Sequence, residues 1–217
     1  LDANINGEIK YNSLDLLSKN IFERSCIISN VFQNPKSQFY CMNSTEELAF
    51  QLENRNTDKS EIINRIKKYS KLLNIEYLLD KNIFDLSGGE KQMIALAACA
   101  ISENDIILLD EPSSSLDNES IERLKEALVK LKELNKIIIV VEHRLFYLKD
   151  IMDRLCIIDN ESLNSYEKED LNDYNLKAIA EGYELRTFNK IEKSDLEINK
   201  YYKVNLLDDK NNFSNGD

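Results

Sequence analysis

Two stretches of sequence decide the fold of this chain, Leu86-Ser87-Gly88-Gly89-Glu90-Lys91-Gln92 and Ile106-Ile107-Leu108-Leu109-Asp110-Glu111-Pro112. In the first, a Ser and a Glu stand three residues apart before an apolar run, which is the pattern of a helix that begins with a capping box. The cap does not explain the paired glycines, because a turn glycine loses conformational entropy unless the backbone must be approached closely or φ must be positive. The second is a short apolar run that ends in two carboxylates, as a buried parallel strand does when its end faces a ligand. The two stretches therefore predict an anion-binding helix N-terminus and an acidic strand end.

The rest of the chain alternates between strand and helix patterns. Short apolar runs bounded by polar residues predict buried parallel strands at Cys26–Phe32, Ile106–Leu109, Ile137–Val141 and Leu155–Ile158. Apolar residues at helical spacing predict helices at Glu61–Leu79, Met93–Ile101 and Ile121–Leu134. This alternation is typical of an α/β domain with a mainly parallel sheet.

A helical subdomain is expected at about residues 39–90, inserted between the strands. Its first helix is predicted to open with a capping box at Ser44-Thr45-Glu46-Glu47. After about Asn160 the composition shifts toward Asn, Asp, Glu and Lys, and the periodicity weakens. We therefore expect one α/β domain over residues 1–165 and a C-terminal extension or linker over residues 166–217.

Charge and composition argue against several classes of protein. The chain has 28 Lys and Arg against 39 Asp and Glu, and its net charge of −11 would on average repel a nucleic-acid backbone. The four cysteines form no Cys-x-x-Cys pair, which favours reduced structural thiols in a cytosolic protein over a metal site or a disulfide framework. No apolar stretch reaches the roughly 18 residues of a membrane span, and the first residues lack the pattern of a signal peptide. Any role at a membrane is expected to be peripheral.

Polar side chains end three of the predicted strands. These are Gln33, then Asp110 with Glu111, then His143, the single histidine of the chain. In an open α/β sheet, ligands bind beyond the carboxyl ends of the strands, so these residues are candidates for one site. Taken singly, each could be an ordinary loop residue. Their occurrence together with the glycine motif favours the functional interpretation.

The motifs resemble those of one enzyme family. The stretch Leu86–Gln92 resembles the signature motif of ATP-binding-cassette (ABC) ATPases, and Ile106–Pro112 resembles their Walker B strand. Residues 31–39, Val-Phe-Gln-Asn-Pro-Lys-Ser-Gln-Phe, resemble the Q-loop of the energy-coupling-factor (ECF) and cobalt type. Leu116-Asp117 is similar to the D-loop, and Glu142-His143-Arg144-Leu145 resembles the switch-histidine segment in the first half of tandem ECF ATPases. The resemblance covers about residues 1–165 and implies a P-loop NTPase-like ABC ATPase core with a helical subdomain insertion.

The resemblance also implies roles in ATP hydrolysis. Glu111 would polarise the attacking water, and His143 would reach the γ-phosphate. Asp110 and Gln33 would hold Mg²⁺. The implied cofactors are therefore ATP and Mg²⁺.

The remaining motif residues are implied to act at an interface. Ser87, Gly88, Gly89 and Glu90 would bind ATP held by a second ABC ATPase cassette, in a head-to-tail dimer or a tandem fusion. Asp117 would link the two ATP sites. Transmembrane transporter subunits would contact the Q-loop and the helical insertion, which implies a cytoplasmic protein that is peripheral on the inner face of the cell membrane.

One family motif is missing from the sequence. A Gly-x-x-x-x-Gly-Lys-Ser/Thr phosphate loop, or Walker A motif, is not found, because none of the five glycines (7, 88, 89, 182 and 216) precedes a lysine. Leu1–Tyr11 resembles the segment that follows the phosphate-loop helix. We therefore expect an N-terminally truncated cassette that does not hydrolyse ATP by itself, with a central strand missing from its sheet and apolar strand faces left bare.

Three functions remain open at this level. The first is the ATPase subunit of an ECF-type importer for a vitamin or a transition-metal ion. The second is a soluble ABC ATPase that acts on DNA or ribosomes; net acidity and the Gln33 to Gln38 spacing count against it. The third is a non-catalytic cassette that completes a partner's ATP site, which would need neither Glu111 nor His143.

Overall fold

Three short parallel strands form the main sheet of the protein. The computed structural model describes residues 7–172, 176 and 179, and the chain divides into two compact units, residues 1–143 and 144–217. The elements of the first unit are β1 (Lys10–Tyr11), β2 (Leu14–Asp15), α1 (Ile21–Ser25), β3 (Ile28–Val31), α2 (Ser44–Asn54), α3 (Lys59–Leu72), α4 (Gly88–Ile101), β4 (Ile106–Asp110), α5 (Asn118–Glu133) and β5 (Ile137–Val141).

The sheet confirms the predicted α/β class. β4 lies between β3 and β5, and both pairings are parallel. The register places Asp110 opposite Val141, so β4 and β5 end at the same level. The predicted strand at Ile137–Val141 has the observed bounds, whereas the one predicted at Cys26–Phe32 is shorter, because residues 26 and 27 follow α1 in a turn.

Helix α4 is the centre of the hydrophobic core. Its residues Ile94–Ala97 are fully buried, and it packs against β3, α2, α3 and α5. A helix surrounded on all sides needs apolar residues all round rather than a single stripe, as in the run after Gln92. Helix α5, in contrast, buries one stripe of side chains, which includes Ile121, Leu124, Leu128 and Leu131.

The capping box predicted at Ser44–Glu47 is wrong. The N-cap of α2 is Asn43, whose side chain accepts hydrogen bonds from the amides of Thr45 and Glu46. The Ser44 hydroxyl is buried and donates to the carbonyl oxygen of Leu78 (2.5 Å). The Glu47 carboxylate accepts from two amides that precede the helix, at residues 40 and 41, rather than from its N-cap. Asn43 caps α2 instead of Ser44, because the Ser44 hydroxyl is bonded to the carbonyl oxygen of Leu78, which lies 34 residues away in sequence.

The helix predicted at Glu61–Leu79 is also too long. α3 ends at Leu72, and Asn74 has φ of 57°, which asparagine tolerates better than most residues. The amide of Ile75 donates to the carbonyl oxygen of Ser70 (2.8 Å), and that of Asn74 to Lys71 (3.2 Å). These two bonds form a Schellman motif, which stops the helix although the apolar spacing continues.

The second unit contains an antiparallel hairpin, β6 (Arg154–Asp159) and β7 (Ser162–Glu167). The prediction of a buried parallel strand at Leu155–Ile158 is therefore wrong in its pairing. Asn160 and Glu161 both have positive φ, as a two-residue hairpin turn of type I′ requires. Within this unit, Leu155 packs in a buried cluster with Leu145, Ile157 and Leu176. Most of the predicted extension at residues 166–217 lies outside the described residues.

The described part of the chain contains no helix with the length and hydropathy that a bilayer crossing requires.

Candidate functional site

Three of the strand-end side chains meet at the carboxyl edge of the sheet. The Gln33 amide Nε2 donates a hydrogen bond to Glu111 Oε2 (2.6 Å). On the other side, His143 Nε2 lies 3.3 Å from Glu111 Oε1. The Glu111 carboxylate is thus held between an amide and an imidazole, and parallel pairing brings them together because all three strands end at this edge.

The backbone at Glu111 is strained. Its φ is 40°, a left-handed conformation that non-glycine residues adopt rarely and at a cost of about 1–3 kcal/mol. The Glu111 amide donates to the carbonyl oxygen of Val141 (2.8 Å), and its carbonyl accepts from Ser114 (3.1 Å). This conformation follows directly on Asp110, the last residue of β4, whose side chain is exposed at the same edge. Strain of this kind is concentrated at functional sites.

Glu142 contributes a contact that the sequence reasoning missed. Its Oε2 accepts hydrogen bonds from the hydroxyl (2.6 Å) and the amide (3.3 Å) of Ser113, and its Oε1 accepts from the His143 amide (2.9 Å). The carboxylate thereby connects the loop after β4 with the end of β5. The sequence feature that could have indicated this contact is a carboxylate at a strand end, directly before the single histidine.

The N-terminus of α4 contains the predicted capping box. Ser87 Oγ accepts from the Glu90 amide (3.2 Å), and Glu90 Oε2 accepts from the Ser87 amide (2.8 Å). The backbone hydrogen bond from Ser87 lowers the pKa of Glu90 below its ordinary value. Both side chains therefore have a structural role, whatever they bind. Ser87 and Gly88 are exposed at this helix end.

Gly89 has a packing role of its own. A Cβ atom added there would lie 2.7 Å from the Cβ of Ser120, closer than real Cβ contacts occur, whereas one added at Gly88 would have its nearest neighbour at 3.9 Å. Ser120 is in the first turn of α5, which Asp117 caps by accepting from the Ser120 amide (2.9 Å). Two hydrogen bonds from Ser120 lower the pKa of Asp117; the one from the Ser120 side chain has the larger effect, and the one from its backbone amide follows. Gly89 therefore allows the two helix N-termini to touch.

A cavity of about 400 Å³ separates the segment after β3 from the start of α4. Its walls include Gln33, Gly88, Gln92 and Leu116. The side chain of Gln92 is buried, and its Nε2 has no hydrogen-bond partner among the described residues. The cavity thus places Gln33, Gly88 with Gln92, and Leu116, which come from three of the sequence motifs, around one space.

Comparison with known proteins gives the family. Residues 1–114 match the ABC transporter family. The chain belongs to that family.

Similar proteins agree with this family membership. A protein of Treponema denticola named as an ABC transporter ATP-binding protein is 40% identical over 169 residues, which are 77% of this chain and 34% of that protein. The energy-coupling factor transporter ATP-binding protein EcfA of Aster yellows witches'-broom phytoplasma is 39% identical over 139 residues, 64% of this chain and 51% of EcfA. The chain thus spans about a third to a half of the length of these relatives.

A solved structure shares the fold. CbiO1 of Clostridium perfringens, described as part of the ABC transporter complex CbiONQ, superimposes with a TM-score of 0.69 at 21% identity. The match covers 94% of this chain and 76% of CbiO1. It supports the P-loop NTPase-like α/β fold inferred from the ABC motifs.

The paired glycines of the ABC signature motif are expected to differ in their effect on stability. Gly89→Ala should lower the free energy of unfolding by about 1–3 kcal/mol, because the new methyl group overlaps Ser120. Gly88→Ala, the matched control, should be neutral or stabilising, because its space is open and alanine favours the helix. Urea unfolding of the two variants measures the difference. Equal stabilities would contradict the packing role of Gly89.

Proposed function

We propose that this chain is part of an ATP-hydrolysing cassette that energises an ECF-type importer of a vitamin or a transition-metal ion. The observation that carries the proposal is the Glu111 carboxylate, held between Gln33 and His143 at the carboxyl edge of a parallel sheet. That arrangement suits a group that orients and polarises a water molecule for attack on phosphorus. The similarity to EcfA supports the transporter class.

The missing phosphate loop would be supplied by sequence outside these 217 residues. The exposed face of β5 supports this part of the proposal. Ile137, Ile139 and Val141 are 46%, 50% and 58% exposed, although strands of a parallel sheet normally bury both faces. Among the described residues β5 pairs only with β4, so its other edge can accept a strand. A phosphate-loop strand placed there would end beside Glu111 and His143.

The residues at the site fit ATP with Mg²⁺. Asp110 and Gln33 would hold the ion through oxygen donors, and the ion would neutralise charge on the phosphates. The described residues contain no group of three His, Cys, Asp or Glu that could hold a metal. Magnesium usually takes one or two carboxylates and fills its other positions with phosphate oxygens and water, which suits a site that offers Asp110 at the end of β4. His143, with a side chain 73% exposed, can be reached by a phosphate oxygen.

The proposed assembly contains a second cassette and transmembrane subunits. Ser87, Gly88, Gly89 and Glu90 would face ATP held by the second cassette, in a head-to-tail dimer or a tandem fusion, and Asp117 would link the two sites. The exposure of Ser87 and Gly88 at the α4 N-terminus supports this role. The segment after Gln33 and the helices α2 and α3 would contact the transmembrane subunits. The protein would then act in the cytoplasm, on the inner face of the cell membrane.

Restoring the phosphate loop tests the proposal. The 217-residue chain is expected to bind Mg-ATP weakly and to show no turnover above background, because it lacks the backbone amides and the lysine that hold the phosphates. A longer form with the preceding sequence, assembled with its partner cassette, should hydrolyse ATP at about 1 s⁻¹ or faster. Calorimetric titration and phosphate release measure the two properties.

Two results would contradict the proposal. Glu111-dependent hydrolysis by the 217-residue chain would show that no further phosphate loop is needed. Co-purification of the longer form with ribosomes or DNA, rather than with membrane proteins, would favour a soluble ABC ATPase instead.

A further inference from the structure

We propose that Glu142 is a positioning residue for ATP hydrolysis, because its carboxylate fixes the loop that follows Glu111 to the backbone that carries His143. The inference rests on the proposed function. It assigns a role to Glu142, which is not itself one of the candidate catalytic or metal-binding residues. Glu142 acts through its neighbours, because its carboxylate binds the hydroxyl and amide of Ser113 and the backbone amide of His143.

Residues 141 and 142, at the end of β5, form hydrogen bonds with the loop after β4 both at Glu111 and two residues after it. Before it, the Glu111 amide is bound to the carbonyl oxygen of Val141 (2.8 Å). After it, Ser113 is bound to the Glu142 carboxylate through its hydroxyl (2.6 Å) and its amide (3.3 Å). A left-handed backbone at a residue with a side chain persists only where the surroundings over-determine it. Residues 141 and 142 supply that constraint, so they fix the direction of the Glu111 side chain.

The same carboxylate also fixes the start of the histidine segment. Glu142 Oε1 accepts from the amide of His143 (2.9 Å), which sets the backbone from which the imidazole extends toward Glu111. One rigid group thus relates the positions of the two candidate catalytic side chains. Phosphoryl transfer depends on the positions of the catalytic groups around the phosphate, and displacing one of them by about 1 Å can lower the rate about 100-fold.

A carboxylate suits this role better than other side chains. Its two oxygens can accept the three donors at once, whereas glutamine offers one acceptor oxygen and serine or threonine a single hydroxyl. Ser113 is fully buried and Glu142 is half-buried, so the hydroxyl donates to a carboxylate in a partly buried contact. Hydrogen bonds to ionised acceptors are the stronger and more directional ones.

The first test measures ATP hydrolysis by the longer, assembled form. Glu142→Ala should lower kcat by about 10- to 100-fold and leave the Kd for Mg-ATP within about twofold. Glu142→Gln, which keeps the shape and one acceptor oxygen, should fall between Glu142→Ala and the unchanged protein. Glu122→Ala is the matched control, because it removes the same charge from the exposed face of α5 and should have no effect.

The second test does not depend on hydrolysis. His143 is the single histidine of the 217-residue chain, so its imidazole gives one unambiguous set of NMR signals. Glu142→Ala should move these signals at constant pH, because it removes the acceptor of both the Ser113 and the His143 hydrogen bonds. Ser113→Ala should move them less, because it removes only the hydroxyl contact, and the double variant should move them no further than Glu142→Ala. Glu122→Ala should leave them in place, and circular dichroism shows which variants are folded.

The outcomes separate the two proposals. If the longer form does not hydrolyse ATP, the proposed function fails, while the imidazole signals still decide whether Glu142 positions His143. If hydrolysis is normal and Glu142→Ala has the kcat and the imidazole signals of Glu122→Ala, the positioning role is overturned. A loss in Glu142→Ala that Glu142→Gln partly restores supports it, even where Glu142→Ala folds poorly.

Discussion

Glu111→Gln in the protein with its phosphate loop is expected to lower kcat for ATP hydrolysis by about 100- to 1000-fold. Glutamine has nearly the same shape, and its side-chain oxygen can still accept the hydrogen bond from Gln33. The variant therefore keeps the geometry of the site and loses the negative charge that, in the proposed function, polarises the attacking water. Because this charge matters mainly in the transition state, the Kd for Mg-ATP should change by no more than about threefold.

Single-turnover hydrolysis and calorimetric ATP binding measure the two effects separately. Glu122→Gln, an equal change of charge on the exposed face of α5, is the control and should leave both unchanged. Equal losses of binding and turnover in Glu111→Gln would mean that Glu111 maintains the structure of the loop rather than the chemistry. The left-handed φ at Glu111 makes this alternative worth testing, since that residue also shapes the backbone.

The assembly of the site follows from short-range patterns in the sequence. The apolar run Ile137–Val141 forms a strand with the predicted bounds, and its pairing with β4 is parallel because α5 connects them. Once the strands are parallel, the side chains after each of them must share an edge. The contacts of Glu111 with Gln33 and His143 are a consequence of that geometry.

The contacts that local patterns could not reveal join residues far apart in the chain. Ser113 meets Glu142, 29 residues later, and Gly89 meets Ser120 at the start of another helix. Neither contact leaves a periodic signal, because each depends on how two elements pack. The pairing predicted for Leu155–Ile158 in β6 is wrong for a related reason. A run of four apolar residues indicates a strand but not the direction of its partner.

Ser87→Arg is expected to weaken strongly the ATP-driven association of the restored cassette with its partner. In the proposed assembly the exposed N-terminus of α4 approaches the γ-phosphate of ATP on the other cassette, and the helix amides bind it at short range. An arginine side chain at the N-cap would occupy the phosphate position. Its positive charge would not compensate, because the backbone amides could no longer reach the phosphate oxygens. We expect at least about a tenfold weaker association, or about 1.4 kcal/mol.

Sedimentation velocity in the Glu111→Gln background, with and without Mg-ATP, measures this association. The matched control is Ser87→Ala, which removes the same hydrogen bond to the Glu90 amide without adding bulk. Loss of that cap should cost about 1 kcal/mol of stability in both variants, so both cassettes should remain folded. If Ser87→Arg and Ser87→Ala associate equally well with ATP, Ser87 serves only as the cap of α4. If only the arginine variant fails, steric exclusion of the phosphate explains the failure, because both variants have lost the same cap.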